Sequence, residues 1–201
     1  MKKRIGIVIL AAGQASRMGM QKLLLPLGGQ PLLAHVLQTA ASLSLPDCVA
    51  VIGEPQAELA AVCRRYSVQP VYNPNRQAGQ ATSVHLALRH LSVELDGVLF
   101  MLGDQPLVSL PLIRALIDRF ACLDDNRHIV VPYCNGQRHN PVLFGASWRG
   151  HLAALQGDRG GRRIIDENME WVIRLDWDDE IAFLDADTRE DYEFLCAKFP
   201  K

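Results

Sequence analysis

The chain has 201 residues, nearly half of them apolar, and 21 Lys and Arg against 22 Asp and Glu give a net charge of −1. That length and apolar content suit one α/β domain with a sizeable core and exclude a disordered chain. The near-zero charge offers no global field for nucleic acid or an anionic membrane, and no apolar run nears the ~20 residues that span a bilayer.

Met1–Arg4 is basic and precedes an apolar stretch, but that stretch ends at Leu10 with no small-residue cleavage pattern after it, so it reads as a first strand. Ile5–Leu10 is apolar without alternation, as a parallel strand buried on both faces requires. Pro31–Leu43 puts apolar residues at 32, 33, 36, 37, 40 and 43, a helical stripe with proline near its start. The pattern then predicts a strand over Asp47–Ile52, a helix over Glu54–Arg65 and a strand over Val68–Tyr72. A helix over Gln80–Leu91, a strand over Gly97–Leu102 and a helix over Pro111–Phe120 follow. Ile129–Tyr133 and Val142–Phe144 read as strands joined by a glycine-containing turn. Ser147–Leu155 and Gly160–Asn168 read as helical, Trp171–Leu175 as a strand and Asp187–Lys198 as a terminal helix.

Alternating strands and helices predict a Rossmann-like three-layer α/β fold with a mostly parallel sheet and an antiparallel insertion over 129–145. No linker, repeat or low-complexity stretch divides the chain, so residues 1–201 are expected to form a single domain. The five cysteines are widely spaced and include no CxxC pair. They are expected to be reduced thiols acting as small core residues in a cytoplasmic protein.

In such sheets ligands bind beyond the carboxyl ends of the strands. Two ends are chemically loaded. At the first, Leu10, Ala11, Ala12 and Gly13 are small enough to let backbone N–H groups approach a ligand, and Arg17 and Lys22 follow within reach of phosphate oxygens. Residue types alone leave this stretch as either a structural turn or a phosphate cradle. Its spacing satisfies neither G-x-G-x-x-G nor the Walker A pattern. The second loaded end is Leu99–Val108, where Asp104 follows a buried strand; an aspartate there is either a ligand-face carboxylate or a turn cap. Asp185 and Asp187 lie near the C-terminus. Mg²⁺ takes one or two protein carboxylates with phosphate oxygens and waters, so Asp104 with Asp185 is a candidate pair. Asp187 and Thr188 are alternatively caps of the last helix.

The run LAAGQASRMGMQKLLLPLGGQPLL resembles the nucleotide-binding signature of the MobA-like nucleotidyltransferases, and the resemblance continues through NPNRQAGQATSV, GDQP, NPVLF, GDRGGRRII and DADTRED. LAAG and GDQP are most similar to the molybdenum cofactor cytidylyltransferase branch. The C-terminal run departs from the family's D-x-D-T-P-E-D by Arg189 in place of proline.

The resemblance implies transfer of CMP from CTP to the phosphate of a molybdopterin-type acceptor, with Mg²⁺ as cofactor and release of pyrophosphate. Leu10, Ala11, Ala12, Gly13, Ser16, Gly79 and Ser83 would line the nucleotide pocket, and Arg17 and Lys22 would hold phosphates. Asp104 and an aspartate of the DADT run, Asp185 or Asp187, would carry the metal. His139 and Asn140, with Arg138 beside them, are candidates for the acceptor side. The alternatives are GTP as donor, a sugar or polyol phosphate as acceptor, or a non-catalytic nucleotide-binding accessory protein for a molybdoenzyme.

Overall fold

The computed structural model describes residues 3–13, 21–45, 47–158 and 160–199. Ten strands and seven α-helices occupy them. β1 (Ile5–Ala11) leads through a short 3₁₀ turn to a small hairpin of β2 (Pro26–Leu27) and β3 (Gln30–Pro31), then α1 (Leu32–Ala41). β4 (Cys48–Ile52), α2 (Gln56–Arg65), β5 (Gln69–Tyr72), α3 (Gln80–His90), β6 (Gly97–Leu102) and α4 (Leu110–Ala121) continue the alternation. β7 (Ile129–Cys134), β8 (Gln137–Arg138) and β9 (Val142–Gly145) come next, followed by α5 (Arg149–Ala153), α6 (Arg162–Glu167), β10 (Val172–Asp176) and α7 (Arg189–Lys198).

The large sheet runs in the order β10-β7-β9-β6-β1-β4-β5, with β8 against β7. β6, β1, β4 and β5 are mutually parallel and β10 is parallel to β7, whereas β9 is antiparallel to both β6 and β7. The fold is therefore the expected mostly parallel α/β architecture. Its insertion is finer than the sequence implied. The glycine turn at Asn135-Gly136 does not join β7 to β9 but closes the β7–β8 hairpin, pairing Tyr133 with Arg138 and Cys134 with Gln137. Both turn residues have positive φ, 51° and 77°, as a two-residue type I′ turn demands, and Asn-Gly is the preferred pair for it.

Strand residues alternate between two cores, as a period of two dictates. Ile5, Ile7, Ile9, Leu99 and Met101 face α1, α2, α4 and α7. Val8, Val49, Val51, Val98 and Phe100 face α3, α5 and α6. The apolar runs lacked alternation because both faces are covered. The cysteines are free; Cys63 and Cys134 are buried as expected, while Cys122 is exposed at the solvent end of α4, where its N–H closes the helix. Burial, then the neighbouring Cys63, pushes the Cys48 thiol up to about 12, so it is no thiolate nucleophile. Among the described residues no helix is long and apolar enough to cross a membrane.

The chain builds outward from β1 to β4 and β5, then returns to place β6 on the other side of β1. That reversal makes the carboxyl ends of β1 and β6 a topological switch point, where the two flanking connections diverge and leave a crevice.

Candidate active site

Two clefts open there. The first, of about 420 Å³, is lined by Leu10–Gly13 after β1, Lys22, Leu102 and Asp104 after β6, and Gly79, Gln80 and Ser83 at the start of α3. Gly103 N–H donates to the Leu10 carbonyl at 2.9 Å, which locks the ends of β1 and β6 together beneath the cleft. A methyl group on Gly13 would meet no heavy atom of the described residues within 4 Å. Among the described residues nothing fills that space. Gly79 has φ of +103°, and a Cβ there would lie 2.5 Å from the Gly157 carbonyl carbon. Only glycine lets Gly157 and Asp158 rest on the first turn of α3, where Asp158 accepts from Gln80 N–H at 3.1 Å.

Lys22 joins the first cleft's charges. Its Nζ donates to Asp104 Oδ2 and to Asp187 Oδ1, each at 2.7 Å, and its side chain is only 13% exposed. Burial opposes its charge, but Asp104 and then Asp187 outweigh burial and raise its pKa above the ordinary lysine value. Asp185 is half-buried, and burial, then Asp187 and Asp104, raise its carboxyl above the usual range while Lys22 works in the other direction. Ala186 N–H donates to the Asp104 carbonyl at 3.2 Å, bringing the DADT run against the end of β6. The cap of α7 is Thr188, in a reciprocal capping box with Asp191; Asp187 is thus not the cap but a partner of Lys22. Arg189 stands at the first position of α7, and the Thr188–Asp191 box satisfies the N–H groups of Thr188 and Asp191.

The second cleft, of about 350 Å³, shares Leu10, Leu102, Gln80 and Asp158 with the first. Its floor is apolar: Val84, Phe100, Val131, Val142, Phe144 and Ile165. Phe100 and Phe144 meet edge to face at 5.9 Å and 85°. The rim carries Arg138, His139, Asn140 and Arg162. Arg138 Nη2 donates to Asp166 on α6, and its Nη1 is buried without a partner among the described residues. His139 stacks its ring on Phe183 at 4.3 Å and 19°.

Of the residues expected from the sequence, Leu10, Ala11, Ala12, Gly13, Lys22, Gly79, Ser83 and Asp104 line the first cleft. His139 and Asn140 line the second. Ser16 and Arg17 lie outside the described residues. Asp158, which opens a stretch readable from the sequence as either a phosphate-contacting loop or a helix N-terminus, lines the first cleft; sequence reasoning missed Arg76 and Gln77, which line it too. Arg76 reaches it across Gly53, where a Cβ would come within 2.9 Å of Arg76 Cδ; the glycine ending β4 was the available signal. It also missed Asn73, 2% exposed, whose Nδ2 donates to Ser83 Oγ at 2.9 Å and fixes that hydroxyl at the cleft.

Among the described residues no three Asp, Glu, His or Cys side chains form a ready cation cage. A Mg²⁺-type ion does not need one, because phosphate oxygens and waters complete its octahedron. Asp104 and Asp187 both bond Lys22, and the Asp185 carboxyl lies near them, so the site gathers carboxylates of the kind that a divalent cation takes.

Residues 7–172 match the MobA-like NTP transferase domain. Purine catabolism protein PucB of Bacillus subtilis (strain 168) is 29% identical over 197 residues, 94% of each chain. Bifunctional protein GlmU of Halorhodospira halophila is 39% identical over 119 residues, which is 58% of this chain but 25% of that protein. The crystal structure of Rv0371c from Mycobacterium tuberculosis H37Rv superposes with a TM-score of 0.85 at 27% identity, covering 98% of this chain and 100% of that one. A second structure of Rv0371c, described as a complex with manganese, gives a TM-score of 0.84 at 26% identity, covering 98% of this chain and 100% of that one. The switch-point clefts and these matches agree, and the chain belongs to the MobA-like NTP transferase family of Rossmann-like nucleotidyltransferases.

Proposed function

We propose that the protein transfers CMP from CTP to the phosphate of a molybdopterin-type acceptor, releasing pyrophosphate in a Mg²⁺-dependent reaction. The observation that carries this reading is the pair of clefts sharing one wall. One is lined by small residues and charge, the other by an apolar floor with a cationic rim, as a nucleoside triphosphate and a flat phosphorylated ring require. The choice of CTP and of the pterin rests on the resemblance of LAAG, GDQP and NPVLF to the cytidylyltransferase branch.

An acceptor phosphate oxygen forms a bond to the α-phosphorus as the bond from that phosphorus to the bridging oxygen breaks, and pyrophosphate leaves with the electron pair. A phosphate monoester is already mostly dianionic near pH 7, so no strong general base is needed. The barrier is the meeting of two anions and the charge growing on the leaving group, which positioning and fixed positive charge lower. Lys22 supplies such a charge on the nucleotide side, with Arg17 as its expected companion. Leu10 to Gly13 offer backbone N–H groups, and Gly79 and Ser83 border the nucleoside. Asp104 and Asp185 would hold the divalent ion, which when bound neutralises phosphate oxygens. The manganese complex of the relative Rv0371c supports a divalent ion here. His139, Asn140 and Arg138 would meet the acceptor.

The test is pyrophosphate release with each of the four nucleoside triphosphates, with and without molybdopterin-type acceptor and Mg²⁺. Release with CTP, dependent on acceptor and metal, is expected. Preference for GTP, or turnover only with a sugar or polyol phosphate, would replace the cytidylyl reading. Binding of nucleotide with no turnover would make the protein an accessory to a molybdoenzyme.

A further inference from the structure

A chain of contacts links His139, on the rim of the second cleft, and Gln105, beside Asp104, to the segment that carries Asp185. Gln105, next to Asp104, is 4% exposed; its Nε2 donates to the Phe183 carbonyl at 3.2 Å. Its Oε1 is buried with no partner among the described residues. Two residues after Asp104's neighbour-bonded Phe183 comes Asp185, followed by Ala186, whose N–H returns to the Asp104 carbonyl at 3.2 Å. From the acceptor cleft, the His139 ring lies flat on Phe183 at 4.3 Å, while His139 N–H is fixed to the Pro132 carbonyl of β7 at 3.0 Å. The stretch 183–186 is thus held by an amide from the nucleotide side and by a stacked ring from the acceptor side.

We propose that Gln105 and His139 are positioning residues that set where Asp185 stands relative to Asp104, His139 acting through the Phe183 ring. This rests on the reading that those two carboxylates hold the divalent ion. Ligating groups must be kept within about 0.5 Å of their productive geometry, and residues outside the first contact layer do that work. A buried amide bonded to one carbonyl fixes the chain's path, and a flat ring contact fixes its tilt. The acceptor cleft and the cation carboxylates therefore share one mechanical element.

The test titrates Mn²⁺ alone into the full chain and follows the EPR signal of the free ion. His139→Ala removes the stack and is expected to weaken Mn²⁺ binding about tenfold. His139→Phe keeps a flat ring on Phe183 and is expected to stay within about twofold of the unaltered protein. Gln105→Met, similar in shape but without the amide, is expected to weaken binding about tenfold. Unchanged affinity in His139→Ala overturns the proposal, as does equal loss in His139→Phe, or no Mn²⁺ binding by the unaltered chain. If Gln105→Met does not fold, the two His139 variants decide alone, because that side chain is only partly buried. No nucleotide enters this titration. Failure of CTP turnover with the expected Mn²⁺ pattern removes the cytidylyl reading and keeps this one, and the opposite result does the reverse.

Discussion

The two clefts share a wall but are made by different means. The nucleotide-side cleft follows parallel strands β1 and β6, and small residues, backbone groups and the Lys22–Asp104–Asp187 bridge form it. The acceptor-side cleft is floored by side chains of β6, β7 and β9 with Val84 of α3 and Ile165 of α6, and its polar rim comes from Arg138, His139 and Asn140 before β9 and Arg162 of α6. One is suited to read charge, which every nucleoside triphosphate carries alike. The other is suited to read shape, which differs between acceptors. On the proposed reading, reaction type and substrate choice reside in different parts of one crevice.

Lys22→Met tests the charge side most severely. Turnover is expected to fall about 10²–10³-fold, the scale of losing a fixed charge on a transferring phosphoryl group. Pyrophosphate release at saturating substrates measures it, and retained turnover would abolish the distinction between the clefts. Asp104→Asn should also stop turnover while leaving the far-ultraviolet circular dichroism unchanged. Next in size is Gly79→Ala, which forces a side chain onto φ of +103° against the Gly157 carbonyl. Urea unfolding should show a loss of ~1–3 kcal/mol, and because the neighbouring Asp158 lines both clefts, both KM values should rise. Arg138→Met should raise the acceptor KM about tenfold, as loss of a charge-assisted hydrogen bond does, with the CTP KM unchanged. An equal rise in both would show that the clefts do not divide the substrates.

The smallest effect belongs to Asp185. Burial and the carboxylates of Asp187 and Asp104 raise its native pKa above the unfolded value of 3.8. The native chain then keeps a proton that the unfolded chain has lost. Stability falls as pH rises from 3.8 through the raised native value, and stays lower above it. Asp185→Asn should erase that fall, so the variant gains stability above the window and matches the unaltered protein below it. Chemical unfolding across pH measures the difference, and identical curves would show that Asp185 is not held against its charge.

Most of the architecture was legible because buried parallel strands write themselves as unbroken apolar runs. Ile5–Leu10 was expected and Ile5–Ala11 is found; Gln80–Leu91 was expected and Gln80–His90 is found. The residues that line the first cleft were legible as cleft residues for a related reason, since they end or follow strands or open a helix. The Asn-Gly hairpin was under-read because two-residue strands carry no periodicity. Asp187's partnership with Lys22 spans 165 positions, and no local pattern separates it from a helix cap. The Asp158–Gln80 and Arg138–Asp166 contacts were hidden similarly, each needing tertiary closure to bring distant segments together.

The Asn135-Gly136 turn has one more consequence. It folds β8 back onto β7, and β9 then re-enters the sheet, so residues 137–141 form an arm tethered to the same sheet at both ends. Such an arm behaves as an exchangeable cassette. Its tip can be rewritten while β7 and β9 still anchor it to the sheet. A lineage built on this scaffold that edits these few consecutive codons would alter the rim of the second cleft and, at His139, the ring that rests on Phe183.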